Sequence, residues 1–243
     1  MVITIVWLAI WEGISLLVGK ELLFPSPIAV FLKLIQLAGT GVFWGNVGSS
    51  ILRIVIGYAC AAAAGTIVGV VTALVGWLDE FLAPIAKIIR ATPVASFIML
   101  LFVFAAKDNI PAVTAFLIVL PIFWANVYEG IKGTDKKLLE MAKVFRLPFS
   151  VVLKKIYIPS IAPFFMAAVK AGMGMAWKAG IAAEVLVNPR FGIGTALHDS
   201  KIYLETAELF AWTAVVVVIS VVLENVVVKL IGKINEYRNQ KSN

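Results

Sequence analysis

Residues 47–77 form a run of 31 positions with one charged side chain, Arg53, and the run is closed only by Asp79-Glu80. A helix crosses a hydrocarbon core of about 30 Å with about 20 apolar residues, and in lipid the backbone must satisfy its own hydrogen bonds. Five further stretches read the same way. Residues 2–18 are apolar except for Thr4, Glu12 and Ser15, and this stretch is short. Residues 81–106 carry Lys87, Arg90, Pro84 and Pro93. Residues 110–131 follow the polar turn Lys107-Asp108-Asn109. Residues 161–187 contain Lys170, Lys178 and Glu184, and 207–231 contain Glu224 and Lys229. The sequence predicts an all-α polytopic membrane protein with about six transmembrane helices, forming a single domain over 1–243.

Composition supports this against its rivals. Of 243 residues, 61% are apolar and 14% charged, whereas a soluble domain carries about 25% charged residues. An ordinary soluble enzyme, a disordered chain and a secreted disulfide scaffold are excluded. One cysteine, Cys60, leaves no internal disulfide and no cysteine-only metal site. No basic residue precedes the first apolar stretch and no small-residue cleavage pattern follows it, which argues against a signal peptide.

The net charge of +7 is a topology signal rather than a sign of nucleic-acid binding. Residues 132–155 hold seven basic groups (Lys132, Lys136, Lys137, Lys143, Arg146, Lys154 and Lys155) against Asp135 and Glu140. Lys233, Arg238 and Lys241 follow the last span. The alternate segments hold only Lys20 and Lys33, then Lys107, then Arg190 and Lys201. The positive-inside bias places 132–160 and both termini in the cytoplasm. The acidic turn at 76–80 must then be cytoplasmic too, with Lys87 and Arg90 partly offsetting it. Trp44, Trp77, Tyr128, Tyr203 and Tyr237 stand near span ends as interfacial anchors.

Two helices carry small residues at four-residue spacing: Ala61, Gly65, Gly69, Ala73 in one and Ala168, Gly172, Ala176, Gly180 in the other. Such stripes let backbones approach closely in lipid, so Gly65, Gly69, Gly172 and Gly180 are packing candidates. Membrane helices are also Gly- and Ala-rich in general, and spacing alone leaves open whether the contact lies within one chain.

The hydrophilic insertion at 132–160 is patterned. Leu138, Met141, Ala142 and Phe145 fall at i, i+3, i+4 and i+7, a short amphipathic helix with Thr134 or Asp135 as N-cap. Pro148 ends or restarts it, Phe149 to Ile158 forms a second amphipathic piece, and Pro159 and Pro163 mark re-entry into the membrane. A helical pair of this kind rests in lipid headgroups or offers a knob to a soluble partner.

Within that insertion Glu140-x-Ala142-x-x-x-Arg146, nine residues, then Ile156-Tyr157-Ile158-Pro159 resembles the cytoplasmic loop of ABC importer permeases. That loop reads Glu-Ala-Ala, three residues, Gly, nine residues, Ile, one residue, Leu-Pro. The register matches without a gap. Met141, Arg146 and Ile158 depart from it, and Arg146 matters most because glycine there permits a sharp turn. Further segments resemble the nitrate, sulfonate and taurine branch: Trp11-Glu12, Phe24-Pro25-Ser26-Pro27, Ser49-Ser50-Ile51-Leu52-Arg53 with Gly57-Tyr58, Arg90-Ala91-Thr92-Pro93, Ala182-Ala183-Glu184, and Arg190-Phe191-Gly192-Ile193-Gly194.

The resemblance implies a type I ABC importer permease-like fold working as a homodimer of twelve spans, with two ABC ATPase subunits and an extracytoplasmic substrate-binding protein. It implies that Glu140, Met141, Ala142, Arg146, Ile156 and Pro159 form the ATPase-docking loop. ATP and Mg would belong to the partner ATPase, with no cofactor in this chain. The sequence contains no G-x-x-x-x-G-K-[ST] phosphate loop. The cargo implied is a small anion such as a sulfonate, taurine or nitrate.

Ionisable groups inside spans cost about 2.5–3.5 kcal/mol on insertion scales and are functional candidates by default. Lys178, beside Trp177 and with Glu184 further along the same span, is the candidate for an anion path. The competing reading is a structural pair of Lys178 with Glu12 or Glu184. Lys178 and Glu184 are six residues apart and do not share a helix face. Arg53 and Lys170 lie nearer span ends and are expected to snorkel, and Glu224 reads as structural. His198, the only histidine, reads as a solvated loop residue, so a histidine-based metal cluster is not expected. Two other classes would leave different patterns. A secondary transporter predicts inverted repeats and paired carboxylates, and a lipid-modifying enzyme predicts clustered acid, base or metal ligands; neither pattern is present.

Overall fold

The computed structural model describes residues 2–240, with side chains described for 3–229. The tail residues Lys233, Arg238 and Lys241 and the anchor Tyr237 lie outside the described side chains. Eleven α-helices are present among the described residues: α1 (Val2–Val18), α2 (Pro27–Ala38), α3 (Gly41–Leu74), α4 (Gly76–Ala91), α5 (Val94–Phe104), α6 (Ile110–Lys132), α7 (Lys136–Val144), α8 (Phe149–Val152), α9 (Ile158–Val187), α10 (Ile193–Ile202) and α11 (Thr206–Gln240). A π-helical turn, Leu153–Tyr157, joins α8 to α9 without a break.

Four of these are long and apolar enough to cross a membrane: α3, α6, the continuous α8–α9 rod and α11 up to Lys229. The stretch expected as a single span at 81–106 is instead two helices, α4 and α5, bent by 105°. Thr92 precedes Pro93 and is driven out of the helical region, to φ −76° and ψ 127°, because the proline ring crowds the residue before it. Pro93 then supplies no N–H to continue the ladder. The first apolar stretch is a shorter helix, as is α2. A count of six therefore requires both α1 and the bent pair to cross. Helix α2 was not expected, although Ser26 caps it by accepting from the Ala29 N–H and Pro27 opens it, a start signal readable in the sequence.

The core is three helices. α3 and α6 run parallel, and α9 runs antiparallel to both. Small residues set the approach. A Cβ placed on Gly65 would lie 2.6 Å from the Leu120 carbonyl oxygen, and one on Gly69 would lie 2.8 Å from that of Trp124. Gly57 extends the same stripe by two turns, against the Ala112 backbone. On α9, Gly172 faces Val119 and Phe123 of α6, and Gly180 faces Ile54 of α3, where a Cβ would sit 2.5 Å from the isoleucine side chain. Both stripes thus pack within one chain. Ile54, Val119, Phe123, Trp177 and Trp212 fill the space around them.

Helix α4 has its faces reversed relative to a soluble amphipathic helix. Asp79, Ala83, Lys87 and Arg90 lie on the side toward α6, where the Tyr128 hydroxyl donates to Asp79 (2.9 Å) and Arg90 donates to the Pro121 carbonyl (3.1 Å). The opposite stripe, Trp77, Phe81, Ile85 and Ile88, is apolar and exposed. Polar inward and apolar outward is the arrangement expected where lipid lies outside and a wet cleft within.

Candidate functional site

Three groups of residues carry the chemistry. The first is the loop between α6 and α9. Asp135 caps α7 by accepting from the Lys137 N–H at 2.8 Å, since its short carboxylate reaches an otherwise unpaired donor. At the other end Arg146 has φ 49°. The Leu147 N–H donates to the Ala142 carbonyl at 2.9 Å, and the Arg146 N–H donates to that of Lys143 at 3.1 Å. These bonds define a Schellman motif whose left-handed position is normally glycine. An arginine occupies it, so the sharp turn survives at the cost of backbone strain. Ala142 and Ile156 are buried, whereas Glu140, Met141, Arg146 and Pro159 are exposed. Val144, Phe145 and Phe149 stand more than 70% exposed. The second amphipathic piece is not separate: Phe149 to Ile158 runs straight into α9, with Pro159 and Pro163 inside that helix.

The second group is a buried polar latch at the opposite end of the bundle. Glu184 of α9 is fully buried. It accepts from the Ser50 hydroxyl (2.7 Å), the Gly194 N–H (3.0 Å) and the Arg53 guanidinium (3.3 Å). Ser50 in turn accepts from the Ile193 N–H at 2.8 Å, and Asn46 accepts from the Gly192 N–H at 3.1 Å. Arg53 also donates to the Phe191 carbonyl and, at 3.4 Å, to Asp108, which accepts from the Arg190 N–H. Gly194 is required here, because a Cβ would strike Glu184 and the Val185 N–H. Segments that sequence places far apart thus meet at one carboxylate. This corrects one expectation, since Arg53 does not snorkel, and Glu184 is committed to Arg53, Ser50 and Gly194 rather than to Lys178, with which it shares no helix face. Trp177 is likewise turned away from any path, with its indole N–H donating to the Val216 carbonyl at 3.0 Å.

The third group is a wall. Lys170, Gly174 and Lys178 recur every four residues on the side of α9 opposite its packing stripe, and both lysines are exposed. Glu224 of α11 reaches between them, its Oε1 3.0 Å from where a Gly174 Cβ would stand. These residues line a cavity of about 440 Å³. Met175 belongs to it and also to a neighbouring cavity of about 370 Å³ containing Arg90, Thr92, Pro121 and Asn126. Pro121 is the twelfth of the 23 residues of α6 and Met175 stands near the middle of α9, so both cavities lie near the middle of these helices. Lys170 and Lys178 stand about 7.5 and 4.5 Å along the axis to either side of Met175. Among the described residues the ion pairs are those of Lys33 with Glu205 and Glu208 and of Arg53 with Asp108 and Glu184. Lys170, Lys178 and Arg90 are in none of them. Glu12 also stays apart from the wall lysines, one of its oxygens being buried without a hydrogen-bond partner.

Comparison with known proteins bears on the family and the fold. The model of a family described as "Binding-protein-dependent transport system inner membrane component" matches residues 62–241. A protein of Bacillus subtilis named as an aliphatic sulfonates transport permease, SsuC, is 25% identical over 236 residues, covering 96% of this chain and 84% of that one. The nitrate import permease NrtB of Synechococcus elongatus is 29% identical, covering 80% and 73%. The bicarbonate transport system permease CmpB of Synechocystis is 31% identical, covering 66% and 57%. Among solved structures, a chain of an amino acid ABC transporter crystallised with histidines superposes with a TM-score of 0.59 at 15% identity, covering 79% of this chain and 92% of that one. That likeness concerns the fold.

Proposed function

Since the chain belongs to the family of binding-protein-dependent transport system inner membrane components, we propose that two copies of it line the path along which an ABC importer moves a small oxyanion. The chain is the permease subunit of such an importer, a multi-pass inner-membrane protein and not itself a catalyst. One observation carries the finer reading. Lys170 and Lys178 stand exposed at mid-depth and without ion-pair partners among the described residues. A cation facing lipid there costs about 2.5–3.5 kcal/mol. A water-filled path between two copies removes that cost and attracts an anion. Sulfonate, nitrate and bicarbonate, named for the relatives, are all small oxyanions.

The remaining assignments follow from the same reading. Residues 132–160 face the cytoplasm, as do both termini, because the loop holds seven basic groups against two acidic ones. The exposed Val144, Phe145 and Phe149, with Glu140 and Met141 beside them, supply an apolar knob with a charged rim for an ATPase subunit. Ala142 and Ile156, being buried, hold the loop's shape instead of meeting the partner, and Arg146 sets its turn. ATP and Mg reside in that partner, and a substrate-binding protein docks on the opposite face. Reconstitution of the pair with its ATPase and binding protein tests the path. Lys178→Ala is expected to lower uptake of labelled ethanesulfonate, nitrate or bicarbonate about tenfold, equivalent to about 1.4 kcal/mol. Unchanged uptake of all three would remove Lys178 from the path. Glu140→Lys separates the loop's role: co-purification of the ATPase should fall while membrane insertion is kept.

A further inference from the structure

The bend between α4 and α5 sets an arginine beside a cleft instead of within a continuous span. Arg90 sits in the last turn of α4, two residues before the break at Thr92-Pro93. Its guanidinium donates from Nη2 to the carbonyl of Pro121, the middle residue of α6. It lines two cavities at once, sharing Ala125 as a common wall. The first, of about 370 Å³, includes Asn126 and Met175. The second, of about 210 Å³, lies nearer the 132–160 end and is lined by Asp79, Lys87, Tyr128 and Glu129. The larger is within the roughly 300–1,000 Å³ of small-molecule sites.

Donor capacity at this point is in excess. Arg90 presents five N–H donors in a planar fork and the Pro121 carbonyl takes one of them. The Asn126 amide donates one N–H to the Ile122 carbonyl at 2.8 Å and retains the second. Thr92 spends its hydroxyl on the Ile88 carbonyl and so contributes shape only. We propose that the cleft at the α4–α5 break is a discrete oxyanion-binding point on the path, with the Arg90 fork and the Asn126 amide as its donors. This rests on the reading of the chain as a small-oxyanion permease. A planar fork matches the paired oxygens of a sulfonate, nitrate or bicarbonate as a lysine cannot. Asp79 and Glu129 beyond it work the other way. An anion leaving Arg90 toward the loop end meets two carboxylates against the single ammonium of Lys87, a net negative lining, so it is held at the fork and not retained past it, the balance that permits conduction.

The test uses the assembled transporter in lipid nanodiscs, in a Cys60→Ala background because Cys60 is exposed. A Thr92→Cys variant is reacted with an anionic sulfonatoethyl methanethiosulfonate and with its cationic trimethylammonium-ethyl counterpart. The expected result is faster labelling by the anion, a rate ratio that drops several-fold in Arg90→Gln and, being set by charge, is largely kept in Arg90→Lys, and slowing by nitrate relative to gluconate that weakens in Arg90→Lys because the fork is lost. Equal ratios with Arg90 and Arg90→Gln, or no reaction with either reagent, would overturn the site. If Arg90→Gln fails to assemble, nitrate protection with Arg90 intact decides alone, and its absence overturns the site. Uptake in matched proteoliposomes keeps the two readings apart. Oxyanion uptake with an Arg90-independent ratio removes the cleft and leaves the permease reading standing. An Arg90-dependent ratio without uptake of any of the three anions keeps the cleft and overturns the oxyanion assignment.

Discussion

The latch around Glu184 and the wall around Lys178 lie on the same helix and treat charge in opposite ways. Glu184 is fully buried and accepts from a hydroxyl, a backbone N–H and a guanidinium. Lys178, less than two turns earlier, is exposed and has no ion-pair partner among the described residues. A charge removed from water is tolerable only with its hydrogen-bonding capacity satisfied, and the latch meets that condition with residues from three separate segments. The wall does not meet it, so its charges require water. The contrast separates a charge that fixes the position of helices from one free to meet a solute.

The comparison breaks most visibly at Glu184. Glu184→Ala leaves the Arg53 guanidinium, the Ser50 hydroxyl and the Gly194 N–H facing an emptied space, and breaking a buried pair from one side costs about 3–5 kcal/mol. Thermal unfolding of the purified permease should show that loss, while Lys178→Ala stays within about 0.5 kcal/mol of the parent. Equal stability of the two variants would erase the distinction. Arg146→Gly probes strain in a third region. Relief of the left-handed conformation at φ 49° should raise stability by about 1 kcal/mol, with Arg146→Val moving it the other way.

The smallest effect is expected where charges pair at the surface. Lys33 of α2 meets Glu205 and Glu208 at 3.0 Å each, tying α2 to the start of α11. The Lys33 hydrogen bond holds the Glu205 carboxyl below its ordinary value, and the Glu205 and Glu208 hydrogen bonds raise the Lys33 ammonium above its own. A carboxylate with a lowered pKa stabilises above its unfolded value and loses that contribution as pH falls through the lowered one. The Tm difference between the parent and Glu205→Gln should therefore be flat from about pH 6 to 9 and shrink only in acid. With Glu205 half exposed, the stability difference behind it should amount to less than about 1 kcal/mol.

How far these features were legible follows from the range of the interactions that set them. The amphipathic α7 was readable because its capping Asp135 and its Leu138-Met141-Ala142-Phe145 stripe lie within ten residues. The departure at Arg146 was visible too, and the structure adds that the turn keeps its handedness despite the side chain. The small-residue stripes were readable as stripes. Their partners were not, since nothing in a four-residue repeat says that Gly65 will meet Leu120 and Gly180 will meet Ile54. The break at Thr92-Pro93 had a local signal, but apolar character continues across it, and hydropathy alone joins what proline separates. Helix α10 went unexpected because its start depends on Gly192, Ile193 and Gly194 donating to side chains of distant helices.

By itself the sequence determined that this chain lives in a bilayer and which loop gathers its positive charge. It also determined that a turn resembling the docking loop of importer permeases stands at 140–159. Those properties follow from hydrophobicity, charge and short-range hydrogen bonding, which act over a few residues and survive any tertiary arrangement. Only the tertiary structure decided that Arg53 and Glu184, 131 residues apart, neutralise one another, and that Lys178 joins no ion pair among the described residues. It alone placed Arg90 against the middle of α6. Which intramembrane charges are paired depends on which helix faces meet, and helix faces meet through packing of the whole bundle.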